Sequence, residues 1–130
     1  MDLIQKVYKA LAADPAIFNW LADKKKGIWA DLTDYAGEYP VIAYSVISDV
    51  PVIFSDDMEN GRRVVLQLSI VTSDGADHEL VQAVNRRMNA LEWVRMSTAR
   101  VTDGAMRITA IRYVILDTNS YEEKEGNTNG

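Results

Sequence analysis

No cysteine occurs among the 130 residues. Its absence removes disulfides, thiolate nucleophiles and cysteine-ligated zinc together, and it fits a reducing cytosol without requiring one. Histidine is almost as scarce: His78 stands alone, so a metal site would have to rely on carboxylates. The neighbours Asp77 and Glu79 point to different faces of a helix, and His78 therefore reads as a solvated residue at a helix start. Glycine is scattered, with Gly27, Gly37, Gly61, Gly75 and Gly104 each isolated. No glycine-rich phosphate loop can be built from them, and no nucleotide or other cofactor is expected. No apolar run approaches the roughly 20 residues needed to cross a bilayer. The first residues mix Asp2, Gln5, Lys6 and Lys9 with apolar side chains, which is unlike a secretory signal, so neither membrane nor export is expected.

Clustered positive charge is also missing. The net charge is −5. Asp117, Glu122, Glu123 and Glu125 against Lys124 account for −3 of it, leaving −2 for the body. Such a chain lacks the basic footprint that grips phosphates, so specific nucleic-acid binding is not expected. The run Lys24-Lys25-Lys26 is the nearest approach to a basic patch. It directly precedes Gly27, where a helix C-terminus favours cations and a glycine cap.

What the chain does have is 48% hydrophobic side chains, enough for one ordinary core, and residues 1–116 read as a single domain. Asp2 with Gln5 resembles a capping box. Leu3, Ile4, Val7, Tyr8 and Leu11 then recur at helical spacing, predicting a helix to about Ala13. Asp14-Pro15 stops it and starts a short second helix that carries Ile17, Phe18 and Leu21 inward. A brief strand at 27–31 precedes a loop through Tyr35, Gly37 and Pro40, with Trp29 as a packing residue. Residues 41–47 are apolar in both phases, which predicts a central strand covered on each side. In the strand 62–72, Val64, Leu66, Leu68 and Ile70 form the core face. A helix over 76–92, capped by Asp74, presents Leu80, Val84, Met88 and Leu91 to a sheet and turns Asp77, Gln82 and Arg86 to water.

Two dipeptides, Asn60-Gly61 and Asp103-Gly104, tolerate the positive φ that tight hairpins demand, and each is expected at a hairpin tip. In the last strand Met106, Ile108 and Ala110 hold one phase and Ile111, Tyr113 and Ile115 the other. This predicts a bulge near Ala110, or else a strand packed on both faces. The class is α+β: a mixed, largely antiparallel sheet with N-terminal helices and one long amphipathic helix packed on it. Beyond Leu116 the composition is too polar to offset its ordering entropy, and residues 117–130 are expected to form a disordered acidic tail.

No constellation suited to catalysis emerges. Residues 49–61 read as an arm or long hairpin limb in which Val52, Ile53, Phe54 and Met58 sit among Asp56, Asp57 and Glu59. Apolar surface in acidic surroundings suits a protein interface, and these seven residues are the candidate interface set; folding over the limb's own core is the alternative. The acidic residues lack a companion base, so neither acid-base work nor a metal is expected of them.

The order of elements carries a resemblance. Asp14-Pro15 closes a helical start, Gly27-Ile28-Trp29 follows, and Tyr39-Pro40-Val41-Ile42-Ala43-Tyr44 leads to Arg62-Arg63-Val64-Val65-Leu66-Gln67-Leu68-Ser69-Ile70. A helix rich in Ala, Val and Arg comes next, then a terminal hairpin. Over residues 3–116 this resembles the tail-completion proteins of long-tailed bacteriophages and prophages, also called tail terminators or tail-to-head joining proteins. The resemblance implies a structural virion protein, made in the bacterial cytoplasm, that forms a hexameric ring of copies of itself. That ring would cap the tail tube protein and offer its other face to the head completion or connector protein. Two other readings stand beside it: a head-side neck adaptor, and a small ligand- or metal-binding α+β domain using Asp56, Asp57, Glu59 and His78.

Overall fold

The computed structural model describes residues 2–22, 27–30, 39–55 and 58–118. The lysine run at 24–26, the loop residues Tyr35 and Gly37, the limb residues Asp56 and Asp57, and the tail residues 119–130 lie outside that set, as does the side chain of Trp29. Helix α1 (Leu3–Ala12) begins where the Asp2 carboxylate accepts the backbone N–H groups of Ile4 and Gln5 at 2.8 and 3.0 Å. These are two of the donors that a helix start leaves unpaired. Asp14 does the same for α2 (Pro15–Phe18) through the Ala16 N–H, with Pro15 at the first helical position. Val7, Leu11, Ile17 and Leu21 are the buried apolar residues of this region.

Five strands form one sheet in the order β1-β2-β3-β5-β4. They are β1 (Ile28–Ala30), β2 (Val41–Ser55), β3 (Met58–Thr72), β4 (Val94–Asp103) and β5 (Met106–Asp117). β1 lies parallel to β2, and every other pairing is antiparallel, so the protein is α+β with a mixed, largely antiparallel sheet. The core closes between the helices and one sheet face, where Ile42, Val64, Leu66, Leu68, Ile70, Ile111 and Tyr113 meet Leu11, Ile17, Leu80, Val84 and Met88. Asp103-Gly104 does turn the β4–β5 hairpin: Asp103 pairs with Met106, and Gly104 adopts a φ of 60°.

Several expectations are corrected. Asn60-Gly61 is not a hairpin tip. Gly61 pairs with Val52 inside the ladder, and pairing continues to Ser55 with Met58, which leaves residues 56–57 as the connection. The local turn propensity is overridden because β2 and β3 gain further ladder bonds by extending past it. Strand β2 is covered on both sides only at its start. Val41, Ile42 and Ala43 are buried, but β1 reaches no further than Tyr44, and Val46 and Ile47 are 48% and 41% exposed.

The helix α3 (His78–Ala90) starts later than expected and spans thirteen residues. Asp74 accepts the Ala76 N–H in a local turn, and Gly75, at a φ of 76°, redirects the chain before the helix begins. Asp77 is the cap residue by position, yet its carboxylate caps nothing and faces inward rather than to water. It accepts the Thr109 hydroxyl of β5 and an Arg100 N–H of β4 at 3.5 Å. A buried carboxylate at a helix N-terminus is stabilised by the macrodipole and by those donors together. The helix ends when Glu92 takes a φ of 72°. The Glu92 N–H then reaches the Asn89 carbonyl at 2.9 Å, and the Trp93 N–H reaches that of Met88 at 3.0 Å.

The register break lies in β4, between Arg95 and Ser97, and not in β5. Strand β5 pairs with β3 residue for residue from Arg107 to Asp117, so no bulge separates its two apolar phases: Ile111 and Tyr113 lie in the core, and Met106, Ile108 and Ala110 are half-buried on the opposite face.

Candidate interaction surfaces

The β2–β3 hairpin outruns the sheet. β5 accompanies β3 only from Thr72 back to Arg62, where Asp117 is the last partner. Past that point Val52–Ser55 and Met58–Gly61 pair only with each other among the described residues. A two-stranded ribbon alone is marginal in water, so this limb depends on its base or on a neighbour. The base is clasped by Arg62. Its guanidinium donates to Asp49 Oδ2 at 2.9 Å and to Asp117 Oδ2 at 3.1 Å, linking β2, β3 and β5 where the limb departs. Asp117 is only 5% exposed, so the inner half of the clasp is shielded from solvent.

Five of the seven candidate interface residues are described, and all five fall on this limb. Val52 is half-buried opposite Gly61, and Ile53 is paired through the backbone with Glu59. Phe54 lies in β2 and Met58 begins β3. Two small register irregularities fall among them, at 52/53 and 53/55. Asp56 and Asp57 lie outside the described residues.

A second surface escaped sequence reasoning. All ten residues of β4 are exposed, and its outer edge pairs with no other described strand. Val94 and Val101 lie on the helix-free sheet face, since Val101 opposes Ile108 and Val94 opposes Val114. The signal was present in the sequence: Arg95, Ser97, Thr98, Arg100 and Thr102 put polar groups in both phases, which no covered strand tolerates.

The helix-free face also carries a polar rung. Arg112 Nε donates to Gln67 Oε1 at 3.1 Å, and the Gln67 amide donates to Ser69 Oγ at 3.1 Å. Beside it lies a depression of about 270 Å³ bounded by Ser45, Gln67, Ser69, Asp103 and Met106. Among its described lining residues, Asp103 is the one carboxylate. Among the described residues no three His, Cys, Asp or Glu side chains converge as a metal site, and no helix is long and apolar enough to cross a membrane. His78 is exposed at the start of α3. Burial pushes the Tyr113 hydroxyl up to about 12 against the lowering influence of Arg95. That hydroxyl donates to Asn85 Oδ1 at 3.4 Å, a structural contact inside the core.

A family model described as "Tail completion protein gp17" matches residues 5–122. No curated protein matches the chain.

Proposed function

The chain belongs to the phage tail completion protein family, a structural family of tail assembly whose place is the virion, and from that premise we propose that it caps the tail tube as a ring. In this reading copies of the chain, six on assembly, close the tube and present the opposite ring face to the head connector. It acts by contact and turns over no substrate. The observation that carries the reading is the limb at 49–61: a two-stranded ribbon that leaves the sheet, is clasped at its base by Arg62, and bears Val52, Ile53, Phe54 and Met58 in acidic surroundings. A ribbon of this kind is stabilised by docking on a neighbouring subunit or on the tube. The modestly acidic body suits a passage that DNA traverses without adhering.

Electron microscopy of the purified protein, alone and mixed with tail-tube subunits, tests the role. Rings, and tubes of limited length, are the expected result. Phe54→Asp with Met58→Asp should abolish capping while leaving the fold intact by circular dichroism, and unchanged capping refutes the role given to the limb. Capture by head connector but not by tube would make the chain a head-side neck adaptor.

A further inference from the structure

We propose that copies of this chain join head to tail through their sheets, the free edge of β4 pairing antiparallel with the outer edge of β2, residues 45–55, of the next copy. This rests on the ring reading above and specifies how the ring closes. Among the described residues, each sheet ends in two dissimilar open edges. One is β4, ten residues long and exposed throughout. The other is β2 beyond Tyr44, which β1 leaves uncovered and where Val46, Ile47 and Val50 are exposed. Unpaired edges of that length are templates for another strand unless something covers them.

Strand polarity fits. β2, β3, β5 and β4 alternate in direction, so β2 and β4 run opposite ways, and repeating the subunit in one orientation brings them together antiparallel. A head-to-tail contact of this kind closes into a ring when its rotation allows, whereas pairing like edges would stop at a dimer.

Charge selects the same partner. β4 carries Arg95 and Arg100, the latter also reaching the buried Asp77, against a single Asp103 at its tip. Residues 45–55 carry Asp49, which Arg62 of the same copy also holds, and no cation. Two β4 edges therefore repel each other, Arg95 above all, while β4 and the β2 edge with Asp49 attract. The arginines that guard the edge against its own kind direct it to the other edge. Exposed Val94, Met96 and Val101 on one side and Val46, Ile47 and Val50 on the other supply apolar surface to bury.

The chain has no cysteine, so the introduced thiols are the only ones it carries. Full overlap of the edges sets Val50 opposite residues 98–99. Val50 and Ala99 are both exposed and lie on the helix-free face, opposite Arg63 and Ala110 respectively. Val50→Cys/Ala99→Cys protein, assembled on tail tubes and treated with a short bismaleimide, should give a denaturing-gel ladder extending beyond the dimer. Each single variant should stay monomeric, and a mixture of the two singles should stop at dimer. Arg95→Glu should lower the ladder about fivefold at low ionic strength. Dimers from Ala99→Cys alone would mean β4 on β4 and overturn the proposal. Rings that are visible by microscopy while the double variant remains monomeric overturn the edge contact and leave the ring reading standing. The absence of rings in every sample removes both.

Discussion

Arg62 offers the sharpest test of how the limb is held. Replacing it with leucine keeps most of the side chain's packing volume and deletes both ion pairs. The outer pair joins Arg62 to Asp49, groups that are 32% and 41% exposed, and exposed pairs contribute about 0.2–1 kcal/mol. The inner pair is worth more, because the Asp117 carboxylate is 5% exposed and hydrogen bonds to shielded charges contribute about 1.5–3 kcal/mol. Arg62→Leu should therefore cost about 2–3 kcal/mol, and roughly 3–6 °C of Tm for each of those kcal/mol in a chain of this size. The ranking matters more than the total. Asp117→Asn should cost nearly as much as Arg62→Leu, and Asp49→Asn much less, with only the Asp49 contribution fading in high salt. Urea unfolding followed by circular dichroism gives the free energies, and the Arg62→Leu/Asp117→Asn cycle gives the coupling. Equal costs for Asp49→Asn and Asp117→Asn, or a coupling below about 0.5 kcal/mol, would refute the clasp.

Three further outcomes are expected. Because Tyr113 titrates at about 12 in the fold and near 10 unfolded, the folded chain holds its proton where the unfolded chain has released it. The associated stability is complete below pH 10 and is lost as pH rises toward 12, at up to about 1.4 kcal/mol per unit. The stability difference between wild type and Tyr113→Phe, from urea midpoints at about pH 9 and about pH 11, should shrink accordingly. Glu92→Gly should raise stability by about 0.5–1 kcal/mol, since the φ of 72° strains a side-chain-bearing residue by more than glycine's added unfolded-state entropy costs. A lowered Tm would contradict it. Asp77→Ala strands the buried Thr109 hydroxyl and should cost about 2 kcal/mol, and adding Thr109→Val should recover part of that loss; fully additive costs would break the link between the two.

Much of the fold was legible where local chemistry and burial agree. Asp2 and Asp14 cap the helices they were expected to cap, the phase of Val64, Leu66, Leu68 and Ile70 marks the core face, and Asp103-Gly104 turns a hairpin. Failures occurred where long-range pairing outweighs a local signal. Asn60-Gly61 reads as a turn in any short window, but β2 and β3 extend past it. Asp77 reads as a solvated helix-start carboxylate, and only the approach of Thr109 and Arg100 from distant strands draws it inward. The limb at 49–61 was marked by its composition. Polar groups in both phases of β4 signalled its exposure, but its place at the edge of the sheet is set by topology rather than by its own residues.

The unbroken β3–β5 ladder sets a gradient of local opening. Eleven consecutive residue pairs join these strands without a register break, whereas β2–β3 and β4–β5 each contain irregularities. Amide protons in the middle of the sheet should therefore exchange with deuterium only when the whole chain opens, while those of the outer strands escape through smaller fluctuations. The molecule thus has a stiff keel and two pliant flanks, and it is the flanks that can adjust their twist to an adjoining surface without disturbing the interior.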